Sequence, residues 1–366
     1  MIWFGFTALV FFIIGFFILY RVPVCDSNKK PPRSLLKISI IIPARNEEHN
    51  LPKLLSSLKN QTLLPDEVIV VDDNSEDATA RVAGEYQVRV ITSSALPEGW
   101  LGKPWSCHQG AQKATGNVFI FLDADTFLET SGLERMMRTF IAGPGVVSVF
   151  PYHQVEKFHE AFSVFFNLMQ LIGMNAFSFL KSRKPTGMFG PCLIISRNDY
   201  VISGGHEAVR EEVLEHYTLA GVLEKHGIAI RLFSGKGSLN VRMYPEGWKT
   251  LIQGWTKSFT AGAGKTPPLT MRLSIMWISG LLITPVFFLV SIFSGPVSGL
   301  LFWSAIYTLY VLQLYIQFRR TGTFPLWSMV FYPINLAFFL TVFTWAGYRT
   351  SRNKQISWKG RKINQN

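Results

Sequence analysis

The sequence predicts an α/β fold with a mainly parallel sheet, carried between apolar helices at the two ends of the chain. Three observations predict it. Short apolar runs alternate with helix-patterned stretches through the middle of the chain, the order that builds a parallel sheet. Carboxylates follow the second and fourth of those runs, where open α/β sheets bind their ligands. The 366 residues are 48% hydrophobic and only 16% charged, more apolar than a water-soluble domain of this length requires.

The apolar segments come first. Residues 1–20 carry no charge, and at about 1.5 Å per helical residue they reach across a hydrocarbon core of about 30 Å. They lack the basic start and small-residue cleavage site of a signal peptide. Arg21, Lys29, Lys30 and Arg33 follow, and the positive-inside rule puts them, with the bulk of the chain, in the cytoplasm. Three more apolar stretches cover 275–293, 299–318 and 324–348, the first two joined by Ser294-Gly295-Pro296. If the last one spans, the basic tail lies outside, against that rule; Pro325 and Pro333 make a re-entrant or interfacial course the alternative. The expected organisation is an anchor at 1–20, a globular domain at 37–267, transmembrane or interfacial segments at 275–348 and a basic tail at 349–366.

The net charge of +12 suits anionic membrane lipids. Its basic residues lie beside apolar runs, and no nucleic-acid-binding pattern occurs, so no nucleic acid partner is expected. Cys25, Cys107 and Cys192 are far apart and form no Cys-x-x-Cys pair, which reads as reduced thiols, with neither disulfides nor zinc.

Within the globular domain, strands are expected at 38–42, 67–71, 88–92 and 118–122. Leu51, Leu54, Leu55 and Leu58 have helical spacing behind a candidate cap, Asn50. A second helix is expected over 75–84, with acidic residues in its first turn. Residues 158–180 are dense in Phe, Leu and Met, and read either as a core helix or as an interfacial helix admitting a lipid.

The strongest local signal is Asp123-Ala124-Asp125 after the fourth strand. In an extended segment these two carboxylates point the same way, suiting a Mg²⁺ or Mn²⁺ that also binds a diphosphate. Pro43, Arg45, Asn46 and Glu47 close the first strand, and Asp72 and Asp73 the second. Together they offer backbone and carboxylate groups for a base and a ribose, although either Asp also suits a helix cap. Lys103 can offset diphosphate charge, and Gly110 and Gly116 read as turn formers. Gly204-Gly205-His206 precedes Glu207, Glu211, Glu212, Glu215 and His216. Glu215 is the best candidate to take a proton from an acceptor, with a solvated helix face as the alternative. Trp255 and Lys257, in Gln253-Gly254-Trp255-Thr256-Lys257, suit stacking on an acceptor and stabilising a departing diphosphate; an interfacial Trp/Lys belt is the rival.

In this order, Pro-Ala-Arg-Asn-Glu, Val-Asp-Asp-Asn-Ser, Asp-Ala-Asp and Gln-Gly-Trp-Thr-Lys resemble the inverting family-two glycosyltransferases of GT-A fold. Narrower strings, among them Phe166-Asn167-Leu168-Met169, Arg242-Met243-Tyr244 and Trp358-Lys359-Gly360-Arg361, look like the bacterial carotenoid glycosyltransferases. The resemblance covers essentially the whole chain. It implies UDP-glucose as donor and a lipophilic C30 carotenoid acid as acceptor, joined in a glycosyl ester of a staphyloxanthin-type pathway beside other carotenoid-pathway enzymes. It implies that Asp73 contacts the uridine, that Asp123 and Asp125 handle metal and diphosphate, and that Trp255 and Lys257 stand in for the superfamily's Gln-x-x-Arg-Trp element. The chain departs from that element, and also where the superfamily has an acidic pair: here Glu215 is followed by His216. A carboxylate acceptor is already ionised at neutral pH, so no strong base is needed there. A transferase acting on another membrane lipid is the nearest rival. A transporter or scaffold fits poorly, because the apolar segments hold almost no charge to mark a polar path. A polysaccharide synthase would need several more spans.

Overall fold

The computed structural model describes residues 2–25, 36–175, 177–179, 185–262, 266–352, 355–358 and 361–364. Lys29, Lys30, Arg33, Leu180, Lys354 and Lys359 lie outside them. The chain divides into two compact units: a sheet unit of residues 23–153, 187–243 and 355–366, and a helical unit of 1–22, 154–186 and 244–354. Residues 154–186 and 244–267, expected within the globular domain, therefore group with the terminal helices.

The sheet unit contains β1 (Ile38–Ala44), β2 (Glu67–Asp72), β3 (Arg89–Thr92), β4 (Val118–Leu122), β5 (Thr126–Leu128), β6 (Val146–Phe150), β7 (Tyr152–His153), β8 (Cys192–Ser196), β9 (Ile230–Ser234) and β10 (Leu239–Val241). Among the described residues its main sheet has seven strands in the order β3-β2-β1-β4-β8-β6-β9. All neighbours are parallel except β8, which runs against both β4 and β6. A small second sheet joins β5, β10 and β7. The chain runs outward from β1 through β2 to β3, then returns to place β4 on the other side of β1. That reversal makes the crevice at the carboxyl ends of β1 and β4 the natural ligand site.

Strand alternation feeds two cores, because successive side chains leave opposite faces. Ile40, Ile42, Val70, Ile120 and Leu122 pack with Leu51, Leu54, Leu55 and Leu58 on one face. Ile41, Ile69, Val71, Phe119 and Phe121 pack with Cys107, Ala111 and Leu219 on the other. Each fully buried side chain of this kind contributes about 1.5–3 kcal/mol. The leucine spacing thus marks the Leu51–Lys59 helix correctly, but Asn50 does not cap it. Its amide donates instead to Glu47 Oε2 at 2.7 Å. The second helix starts at Thr79, later than the expected Ser75, because the intervening residues are spent in a loop bonded to the one after β1. Gly110 is not a turn former either. It lies inside the Gly102–Lys113 helix, where a Cβ would come within 2.5 Å of Ile41 Cγ2, so its bare backbone lets the helix settle onto β1.

In the helical unit, two helices among the described residues, Pro268–Ser294 and Val297–Thr321, are long and apolar enough to cross a membrane, which suits membrane association. The Ile2–Ile18 helix is shorter. The last apolar stretch is broken: Leu326–Val330 ends at Phe331 and Tyr332–Arg352 begins anew. Pro325 sits just before the first of these and Pro333 in the first turn of the second, both positions where a missing N–H costs nothing. Of the two readings of 158–180, the core helix forms: Val164–Gly173 is buried at eight of its ten positions. A polar seam joins the first helix to Val297–Thr321. Tyr310 Oη donates to Ala8 O at 2.8 Å, Gln313 Nε2 to Phe12 O at 2.7 Å and Gln317 Nε2 to Gly15 O at 3.1 Å. Gln313 Oε1 accepts from Trp277 Nε1 at 2.9 Å. Such bonds hold apolar helices together where hydrophobicity alone cannot.

Candidate active site

The loops after β1 and β2 are zipped together. The Arg45 guanidinium, buried to 8% exposure, donates to Asp73 O at 2.7 Å and Asn74 O at 3.0 Å and pairs with Glu76 at 3.3 Å. Asn46 and Asn74 both adopt positive φ, 53° and 52°, which asparagine tolerates better than most residues. Asn46 Oδ1 accepts from Glu76 N, and its own N–H donates to Ser75 Oγ. Glu47 N donates to Thr79 Oγ1. Asp72 Oδ1 accepts from Ser75 N at 3.2 Å, closing a turn and not a helix, and Asp73 is 2% exposed with its N–H on Ala44 O. The structure brings all of these residues to adjacent strand ends. Arg45 and Asn46 act there on the neighbouring loop's backbone, building a fixed rim.

Beside that rim, Lys103 gathers groups that lie far apart in sequence. Its ammonium pairs with Asp123 Oδ1 at 2.7 Å and Glu215 Oε1 at 3.2 Å, and donates to Gly190 O at 3.4 Å. An ammonium has three N–H bonds, and three acceptors surround it. Burial opposes the charge on Lys103, but the Asp123 and Glu215 carboxylates overcome it and push its pKa up. Burial likewise works to raise Glu215, and the Lys103 ammonium outweighs it, holding the carboxyl well below the usual range. Glu215 is therefore ionised and occupied, a weak base in this state. Glu215 opens the Glu215–Lys225 helix, so it is not part of a solvated face.

Asp123 and Asp125 do not share an extended segment. β4 ends at Leu122, and Ala124 and Asp125 form a turn in which Thr126 N–H donates back to Asp123 O at 3.1 Å. Among the described residues no three His, Cys, Asp or Glu side chains gather to hold a metal unaided. A Mg²⁺ or Mn²⁺ bound largely through substrate phosphates needs only one or two carboxylates; Asp123 and Asp125 stand at this turn, with Asp123 Oδ1 engaged by Lys103.

Trp255 and Lys257 belong to the helical unit, on the Trp248–Gly262 helix. The Trp255 indole is fully buried, stacked on Phe166 at 4.8 Å, with Nε1 donating to Ser163 Oγ at 3.0 Å. It is a packing residue, not a platform for an acceptor or sugar. Lys257 is half-buried.

Met188, Phe189 and Gly190 carry no motif, and His206 and His216 stand in the sequence only as neighbours of the glutamate run. The space around Lys103, Asp123 and Glu215 is also lined by Met188, Phe189, Gly190, His206 and His216. Gly190-Pro191, a turn-forming pair just before β8, was the available signal for that loop. His206 is enclosed against Phe121 and bonded to Tyr200 Oη at 3.0 Å; burial pushes its pKa down to about 3, so the ring is neutral.

The doubly wound sheet carries carboxylates at the ends of β2 and β4, and residues 39–201 match the family model Glycosyl transferase family 2, which makes the protein a glycosyltransferase. The chain is 36% identical over 330 residues to a 4,4'-diaponeurosporenoate glycosyltransferase of Staphylococcus aureus, covering 89% of this chain and 88% of that one. To the same enzyme of Staphylococcus haemolyticus it is 34% identical, over 96% and 95%. It belongs to the 4,4'-diaponeurosporenoate glycosyltransferase family. A mannosyltransferase from Pyrobaculum calidifontis, solved with GDP-Man and Mn²⁺, shares the fold with a TM-score of 0.52 at 15% identity, over 94% of this chain and 92% of that one.

Proposed function

We propose that the protein transfers glucose from UDP-glucose to the carboxyl group of a C30 carotenoid acid, giving a glycosyl ester by a single displacement with inversion. The observation that carries the reading is the state of Glu215. Glu215, the base expected from the sequence, is ionised and tied to Lys103, an arrangement suited to an acceptor that arrives without a proton. The names of the relatives support the choice of acid.

In the proposed step an acceptor carboxylate oxygen attacks the anomeric carbon. The bond from that carbon to the diphosphate oxygen breaks, and its electron pair leaves with UDP. Pro43, Arg45, Asn46 and Glu47 shape the rim that receives the nucleotide, with Asp72 and Asp73 beside the base and ribose. A divalent cation held by Asp123, Asp125 and the diphosphate would supply charge neutralisation to the leaving group. Lys103 keeps the carboxylates of Asp123 and Glu215 from repelling anionic substrates. The apolar helices favour a multi-pass membrane protein with its sheet unit on the cytoplasmic side, near the lipophilic acceptor and other enzymes of carotenoid synthesis.

The test uses membranes containing the full chain, labelled UDP-glucose, Mn²⁺ or Mg²⁺ and diaponeurosporenoic acid, with chromatography of the lipids. The expected product is a labelled pigment that EDTA abolishes and that Asp125→Ala reduces at least a hundredfold. Label only in another lipid, such as a diacylglycerol or hopanoid, would refute the acceptor while leaving glycosyl transfer intact.

A further inference from the structure

His216 is a pocket residue with no use in the scheme above. Its ring lines the same space as Lys103, Asp123 and Glu215. Nδ1 is buried without a hydrogen-bond partner, and the nearest carboxylate oxygen, Glu215 Oε2, is 3.9 Å away, too far for a hydrogen bond. A buried ring nitrogen with no hydrogen bond and only this distant carboxylate beside it costs about 1–3 kcal/mol, a cost a bound ligand removes. The chain also keeps the space beside that nitrogen open. Gly190 faces it, and a Cβ there would stand 3.2 Å from Nδ1.

We infer that His216 Nδ1–H is the group that recognises an ionised acceptor, donating to the acceptor oxygen that does not attack. This rests on the reading of the acceptor as a carboxylic acid. A second carboxylate at this position, beside Glu215, would repel an anionic acceptor. An imidazole avoids that charge, and as the Nδ1–H tautomer or the imidazolium it supplies a donor at Nδ1. Lys103 already covers the near oxygens of Asp123 and Glu215, so the approaching carboxylate meets a compensated wall. The space these residues enclose is small, about 20 Å³, enough for one oxygen-sized group. Held by one oxygen, the acceptor presents the other to the anomeric carbon, and no proton changes hands.

The experiment compares wild type with His216→Asp and His216→Asn in the full chain, measuring KM for the carotenoid acid and for UDP-glucose separately. An asparagine amide can place a donor near the Nδ1 position, whereas aspartate replaces it with a charge. The expected result is an acceptor KM raised at least tenfold in His216→Asp and within threefold of wild type in His216→Asn, with the donor KM unchanged within twofold in both. Gly190→Ala, which crowds Nδ1 without altering charge, should also raise the acceptor KM alone. An Asp variant matching wild type, or an Asn variant as impaired as the Asp variant, would overturn the inference and leave the acid acceptor standing. A wild-type enzyme that labels only a hydroxyl-bearing lipid would overturn both the acceptor and the role of His216.

Discussion

Lys103 stands between two carboxylates that lie far apart in the sequence, and its loss should be felt twice. In Lys103→Met, Asp123 and Glu215 face each other uncompensated. Breaking a fully buried pair costs about 3–5 kcal/mol; because Lys103 and Asp123 keep about a quarter of their side-chain surface, about 1–2 kcal/mol is the better expectation. Activity should fall by at least a hundredfold, since an anionic donor would then approach unscreened carboxylates. Denaturation curves and initial rates together check this. Adding Glu215→Gln to Lys103→Met should recover most of the stability and little of the rate, which separates the structural effect of the ammonium from its effect on substrate.

At the scale of elements, two devices hold the strands and helices in place. Glu67, at the start of β2, accepts through one oxygen from Ser39 Oγ in β1 and from Thr115 Oγ1 and Gly116 N ahead of β4, so one carboxylate stitches three strands. Burial works to raise its pKa, but these donors outweigh it and lower it. A depressed folded pKa means that the stabilisation is fully present above the unfolded value, about 4.3, and is lost as pH falls through the lower folded value. Glu67→Gln should therefore cost about 2 kcal/mol at pH 7 and progressively less below pH 4, as read from denaturant unfolding at each pH. The polar seam is the second device. In Gln313→Leu the fully buried Trp277 loses the acceptor of its indole N–H, at about 1–2 kcal/mol. In detergent the melting temperature should drop by roughly 2–4 °C per kcal/mol, while a control at the exposed Leu312 should not move it.

Across the whole molecule, what was legible in the sequence is what repeats locally. Strand runs, the leucine face of 51–58 and the carboxylates after β2 and β4 each follow from a period of two or 3.6 residues or from a strand end. The division into units was not legible, because periodicity marks a helix without naming its partner: nothing in 164–173 says that it packs with helices from beyond residue 300. Trp255 shows the same limit, since an indole serves equally as a core residue and as a stacking surface. The Lys103–Glu215 pair depends on a crossover that only the folded sheet reveals. Gln313 and Gln317 carry no signal in the sequence that sets them apart from any polar residue in an apolar stretch. The seam they form also sets a timetable for synthesis. The acceptors at Ala8, Phe12 and Gly15 leave the ribosome first, and their donors follow 301 or 302 residues later. At about 5–20 residues per second that is ~15–60 s, during which the leading helix waits without its partner. A truncated chain lacking that helix, the usual shortcut to a soluble sample, would strand Tyr310, Gln313 and Gln317 with buried donors and nothing to receive them.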